Sequence, residues 1–487
     1  MMSELKHKQQ RLVTVMMEDL MPQDHFLRKL ERMLDLDFVY ELVRPLYGKQ
    51  GRPSIDPVVL IKMLLIGYLY GIDSERRLEQ EIKVNIAYRW YLGLDLEDSV
   101  PDHSTLSQNR RRRFKGSTIF EEIFIQVVRL CMDAGLVTGQ AIAMDSTHVR
   151  ANADNNKREI VTVTEEPREY LRKIEAEVNA KEAEIYGGKT KRGPKPKERS
   201  AVRWREEVKS STDPDSGLLG RPGKPKGFHY LCHQSADVDH GIITDIHITA
   251  GNRTDHECCV ERIRRQRDLG LPIKRFVADK GYDITEIHHL LGEMGISVFT
   301  PVSLPHEGFR RNAISPEQFI FDQEKNVYHC PGGHTLHFAY YGKERESIFA
   351  IYKSSTPLCR ECPLRPDCFA ATMKTRKIKR TYGTEHVEAS RQLFGTEQYY
   401  YLQRRRRVIC EGNFANMKDN GNLRRTRKRG LDNVTEHCLF CAIALNLKKM
   451  LKLVGRFSPH PPDKIKNISA LGTTKSLRRF FLRLSFC

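Results

Sequence analysis

Residues 276–290 read FVADKGYDITEIHHL, and the run decides how the middle of the chain is built. Three apolar residues stop at Asp279; Lys280, Gly281 and Tyr282 make a break; apolar residues then recur at helical spacing. This is a buried strand delivering a carboxylate to its carboxyl end, followed by a turn and a helix. A turn role for Asp279 is one reading, since Asp is a common turn residue. The other is a metal ligand with partners elsewhere in the chain.

The segments around it alternate strand and helix. QAIAMDST, 140–147, reads as an apolar strand ending at Asp145. From 227, GFHYLCHQSADVD and IITDIHITAG form two strands around a tight turn at Asp239, His240 and Gly241. A helix over about 255–268, the FVAD strand, a helix over 284–294 and the strand GISVFTP follow. Hairpin strands succeeded by crossover helices predict an α/β domain, a mixed sheet with flanking helices. If the strands of Asp145 and Asp279 are neighbours, the two carboxylates converge. They repel unless a cation sits between them. Mg²⁺ suits such hard oxygen ligands, with Mn²⁺ as substitute. A two-metal site needs a third acid, and Glu411 in YLQRRRRVICEGNFANMKDNGN is the candidate. At 100° per residue, Arg404, Arg407, Glu411 and Lys418 share an arc of roughly 60°, one carboxylate among cations.

The chain has 487 residues and 81 Lys and Arg against 62 Asp and Glu, a net charge of +19 that predicts a polyanionic partner. With 39% hydrophobic and 29% charged residues it reads as soluble and multidomain. Its longest apolar stretch, VVLIKMLLIGYLYG at 58–71, is short of the ~20 residues that span a bilayer. A cytoplasmic, nucleoid-associated protein without membrane contact is expected, its 12 cysteines thiols or metal ligands.

Residues 1–135 read as an all-α DNA-binding domain, with Arg110 to Arg113 on a short helix after VPDHSTLSQ. Arg110 and Arg111 are taken as DNA contacts. Residues 136–310 hold the first part of the α/β core, with 151–226 a basic insertion containing a charged helix and the linker KTKRGPKPKERS. Residues 311–395 are Cys-rich and irregular, 396–455 carry the third acid, and 456–487 are a tail. Cys330, Cys359, Cys362 and Cys368 have the spacing of a structural zinc site, with His334 or His337 as alternative ligands and an iron–sulfur cluster or unmetallated thiols as the other options. Arg424, Arg425 and Arg427 in NLRRTRKRG are expected on phosphates.

AMDSTHVRANA, HGIITDIHITAGNRTDHE, FVADKGYD and RRVICEGNFANMK resemble the catalytic segments of bacterial insertion-sequence transposases of the DDE type. The stretch from GRPSIDP to PDHSTLSQNRRRR resembles the helical domain that precedes the core in such proteins. The resemblance implies a ribonuclease H-like fold, Asp145, Asp279 and Glu411 as the metal-binding triad, and DNA cleavage at element ends followed by strand transfer. It also implies double-stranded DNA, transposon ends and target, as partner of a homodimer. Arg407, Glu411 and Lys418 match the Tyr-x-x-Arg-x-x-x-Glu-x6-Lys signature of part of that family; Arg404 stands where the tyrosine belongs. The other readings are a nuclease that cuts without joining and a non-catalytic DNA-binding derivative.

Overall fold

The computed structural model describes residues 14–48, 54–165, 168–186, 203–220, 223, 226–302, 314–344, 347–369 and 372–457. The basic linker at 189–200 and the tail beyond 457 lie outside them. Two compact units emerge. Among the described residues, one takes those up to Val137, Asn413–Lys428 and those from Asp432; the other takes those within Thr138–Gly412 and Arg429–Leu431.

The first unit is helical. Pro57–Tyr70 is apolar all round and buries Leu60, Ile61, Met63, Leu64, Leu65, Ile66, Gly67 and Leu69, so it is a core helix. Asp56 caps it, accepting from Val58 N at 2.7 Å, with Pro57 in the first turn, and Gly71 ends it at φ 68°. His103–Arg112 is capped by Asp102, which accepts from Ser104 N at 2.7 Å. No single helix among the described residues is long and apolar enough to cross a membrane.

The second unit is built on a six-stranded mixed sheet. Strand β1 (Ala141–Arg150) lies at its centre. The chain then leaves for an excursion of two strands, Arg158–Glu165 and Arg203–Ser210, paired antiparallel, and helix α1 (Glu169–Tyr186). A short strand, Gly217–Leu219, precedes the return as β2 (Gly227–Asp237), antiparallel to β1, and β3 (Ile243–Ala250), antiparallel to β2. Helix α2 (Cys259–Asp268) leads to β4 (Arg275–Val277), parallel to β1. Helix α3 (Thr285–Glu293) leads to β5 (Ser297–Phe299), parallel to β4. The resulting order, β3-β2-β1-β4-β5 with β2 alone of these five running against the centre strand, is the ribonuclease H-like arrangement expected from the resemblance.

Residues 314–381 are not irregular as expected. They form a five-stranded antiparallel meander, Ile320–Asp322, Val327–His329, Thr335–Glu344, Ser347–Lys353 and Lys377–Thr381, in sequence order. The alternation in TLHFAYYGKE and SIFAIYK is the period-2 signal that cysteine counting passed over. Phe319, Tyr328, Leu336, Tyr352 and Ile378 make its core, with Cys330 and Cys368 packed against it. Helix α4 (Thr384–Leu393) follows, then α5 (Glu397–Asn420) and α6 (Leu431–Phe457). The stretch expected as one second half of the core divides within α5. Glu397–Gly412 groups with the sheet, whereas Asn413 onward groups chiefly with the helical unit.

Candidate active site

Helix α5 covers one face of the sheet. Tyr399, Leu402 and Cys410 pack on Ala141 and Ala143 of β1, Val238, Val277 of β4 and Phe299 of β5. Side chains alternate along a strand, so residues two beyond Ala143 and Val277 face the same helix. Those residues are Asp145 and Asp279. The β1–β4 ladder ends at Ala143↔Val277, which places the two acids opposite one another just past the last pair.

Strand β1 does not end at Asp145, as the apolar run suggested. It continues five residues to Arg150, because its other neighbour, β2, keeps pairing as far as Arg150↔His229. Asp145 marks the point where the β4 side opens. Its Oδ1 accepts from Ser146 N at 2.8 Å and its Oδ2 takes Arg406 Nη1 at 2.9 Å. Burial raises the Asp145 carboxyl above its usual range, and the charges of Asp279 and Asp255 add to that, against Ser146 N–H and Arg406.

The turn reading of Asp279 holds in the geometry. Its Oδ1 accepts from Gly281 N at 2.8 Å and so caps the 3₁₀ turn Lys280–Tyr282. A Cβ on Gly281 would stand 3.1 Å from that oxygen, which is why the turn carries glycine. The second carboxylate oxygen is left for another role.

Sequence reasoning missed three neighbours. Arg406 lies one helical turn from both Leu402 and Cys410, and that i±4 line through two buried residues was the available signal. Gln234 is the cross-strand partner of Asp145, fully buried, with neither amide atom hydrogen-bonded among the described residues. Asp255 accepts from Ser146 Oγ at 2.7 Å. The arginine run divides by face: Arg405 donates to the Val238 and Asp239 carbonyls, whereas Arg404, Arg407 and Glu411 are exposed.

Glu411 stands five residues beyond Arg406, about 7.5 Å along the helix. Among the described residues, the sets of three or more His, Cys, Asp or Glu with ligand atoms all within 4.8 Å of one another are His289–Glu385–His386 and Glu79–Asp102–His103. Asp145, Asp279 and Glu411 do not draw together to that separation, nor do the cysteines. The four cysteines nonetheless share one neighbourhood. A Cβ on Gly332 would sit 3.1 Å from Cys362 Sγ and 3.7 Å from Cys330 Sγ. Cys330 Sγ accepts from His334 N at 3.3 Å. Burial raises the Cys368 thiol, and Cys359, Cys330 and Cys362 raise it further against Arg376. His334 and His337 stay beside the meander, His337 exposed on its third strand.

Arg110 is not available to DNA as expected. Its side chain is 11% exposed and lies between Glu75 and Glu436, with Nε 2.8 Å from Glu436 Oε1. Arg111 is exposed. In the run after α5, Arg425 is exposed, Arg424 and Arg427 are exposed while pairing with Asp419 and Asp73, and Lys428 turns inward to Glu436 at 3.0 Å. Lys418 is half-buried.

A family model described as "Transposase domain (DUF772)" matches residues 15–112, and one described as "Transposase DDE domain" matches residues 329–451. The second contains Glu411 and the four cysteines; Asp145 and Asp279 fall between the two matches. A solved structure, the piggyBac transposase synaptic complex with hairpin DNA, aligns at 9% identity over 93% of this chain and 88% of that one, with a TM-score of 0.26. The two matches, a transposase domain followed in chain order by a DDE domain, give this chain the parts of a DDE transposase, an enzyme that cleaves DNA and moves it.

Proposed function

We propose that Asp145, Asp279 and Glu411 hold the divalent metal of this transposase, Mg²⁺ with Mn²⁺ as substitute, and that the chain cuts at element ends and transfers the freed 3′ ends into target DNA. The observation that carries this reading is the pair of aspartates at matched positions on two adjacent parallel strands, on the face covered by the helix of Glu411. The donor set suits a hard cation. Two carboxylates stand side by side, burial disfavours the charge on Asp145, and the Gln234 amide beside them has no hydrogen-bond partner among the described residues. When bound, the metal supplies charge stabilisation at the phosphate and a more acidic bound water.

The chain's own groups do the rest. Ser146 N–H and Gly281 N–H each fix one oxygen of their aspartate and so set its orientation. Arg406 balances Asp145 and ties α5 to β1. Arg404, Arg407 and Lys418, on the helix of Glu411, hold the backbone phosphates of the end being cut. Arg424, Arg425, Arg427 and Arg111 add sequence-independent contacts. Two ends need two such sites, so a homodimer on DNA is the working form, acting in the cytoplasm on the nucleoid.

The four cysteines hold a structural zinc. Their support is the shared neighbourhood around Gly332 and the backbone N–H of His334 on Cys330 Sγ. The reaction is tested with purified chain, Mg²⁺, a labelled duplex ending in the element's terminal sequence and a supercoiled target. Cleaved ends joined to target are expected. Cleavage without joining would make it a nuclease, and binding without cleavage a non-catalytic derivative.

A further inference from the structure

The sheet unit contains a second cluster with ligating chemistry, away from the paired aspartates. His289 on α3 and Glu385 and His386 on α4 bring their ligand atoms within 4.8 Å of one another. The two imidazoles stack, with centroids 5.3 Å apart and planes at 27°. Two glycines make that approach possible. A Cβ on Gly292 of α3 would fall 2.2 Å from Nδ1 of His386, and one on Gly383 at the start of α4 would fall 2.8 Å from Cβ of His289. Each helix therefore gives up a side chain where the other presents its histidine.

The rings are also prepared as ligands. Nδ1 of His289 is 3.1 Å from the Tyr170 hydroxyl of α1, a contact that holds the ring in its orientation. His386 makes no ring hydrogen bond among the described residues. Glu293, 3.6 Å from His289 Nε2, has its charge balanced by Lys173 at 3.1 Å. Glu385 has no ion-pair partner among the described residues and is the carboxylate left for a cation. The other cluster, Glu79–Asp102–His103, differs on this point. Glu79 already pairs with Lys83 at 2.5 Å, and Asp102 caps a helix.

We propose that His289, His386 and Glu385 form a binding site for a first-row divalent transition metal, zinc foremost, that clamps α4 to α3. Two imidazoles and one carboxylate select such an ion over Mg²⁺, which prefers oxygen ligands. Three protein ligands leave one position for water. The clamp has a consequence for the proposed catalytic helix, since α4 ends at Leu393 and α5 starts at Glu397. Next to it, His288 Nδ1 and Ser390 Oγ join the same two helices at 2.9 Å. The metal would fix the approach of α5 to the sheet.

Metal-free chain titrated with Co²⁺ separates this site from the cysteines. Thiolate ligands give an intense near-ultraviolet charge-transfer band; histidine and carboxylate ligands give only weak visible bands. The expected result is an equivalent of Co²⁺ showing the weak bands alone, lost in His289→Gln plus His386→Gln. Glu385→Gln, at an exposed position that cannot unfold the chain, lowers the affinity at least tenfold. Tyr170→Phe lowers it by about 10- to 100-fold. The proposal is overturned if wild-type chain binds no Co²⁺ beyond that carrying the charge-transfer band, or if Glu385→Gln binds the weak-band equivalent with unchanged affinity.

Discussion

Replacing Glu436 by Gln tests whether the basic residues of the helical unit are structural or exposed to DNA. Glu436 is 3% exposed and meets Arg110 Nε at 2.8 Å and Lys428 Nζ at 3.0 Å. Burial alone would raise its carboxyl, yet Lys428 and Arg110 hold it below the usual carboxylate value. Burial in turn holds the Lys428 ammonium below its ordinary value, against the pull of Glu436. Gln removes the carboxylate that both cations meet directly. Arg110 keeps Glu75; Lys428 loses its ion pair with Glu436. Breaking a buried pair from one side costs about 3–5 kcal/mol. With a urea dependence of about 2 kcal/mol per molar, the midpoint should fall by roughly 1.5 to 2.5 M. Trp90 sits in the helical unit, and Trp204, the other tryptophan, is 71% exposed on the excursion hairpin. Fluorescence in a Trp204→Phe background therefore follows the helical unit. Adding Lys428→Met to Glu436→Gln should restore most of the loss, since the unpaired ammonium goes with it. The pH dependence has a defined sign. A depressed carboxyl contributes stability above its unfolded value of 4.5 and loses it as pH falls toward its folded value. Glu436→Gln should flatten that acid limb. A loss under about 1 kcal/mol, with no recovery in the double variant, would refute the buried-network account.

Elemental analysis should find about one zinc held by the cysteines, and Cys359→Ser with Cys362→Ser should remove it while the His289 site keeps its own metal. Replacing Arg424, Arg425 and Arg427 by Ala should weaken binding to every DNA sequence. It should also shallow the slope of log affinity against log salt by up to roughly 0.9 per lost contact. An unchanged slope would mean that these side chains do not meet the backbone. Arg111→Ala should lower the slope as well, whereas Arg110→Met should act on stability first, because its guanidinium is already spent on Glu75 and Glu436.

The sheet was legible because its strands carry their own punctuation. FVAD stops where β4 stops pairing, and the turn at Asp239 to Gly241 separates β2 from β3 as read. Two acids on one face followed from that order. Other features depend on facts that sequence does not hold. Nothing local says that β1 keeps pairing with β2 beyond Asp145, since the partner strand lies some eighty residues on, past the excursion. Four consecutive arginines look equivalent as letters; helical phase sends Arg405 to the sheet carbonyls and Arg406 to Asp145 while Arg404 and Arg407 stay outside. Arg110 resembled a phosphate contact because Glu436, which buries it, is 326 residues away. The meander at 320–381 was hidden by a short-strand pattern broken by cysteines and glycines.

The central claim is that Asp145, Asp279 and Glu411 act as one metal-holding set, and paired cleavage and binding assays on isosteric variants test it most directly. Asp279→Asn keeps Oδ1 as acceptor for Gly281 N–H, so the turn survives while the charge is lost. Asp145→Asn and Glu411→Gln are equally conservative in shape. Each variant is assayed for Mg²⁺-dependent nicking of a labelled duplex carrying the element's end, and for binding to that duplex without Mg²⁺. The account predicts that all three lose nicking and joining while binding stays within a few-fold of wild type, because the exposed arginines are untouched. Nicking at the wild-type rate by any one of them would contradict the triad and leave that residue with a structural role alone.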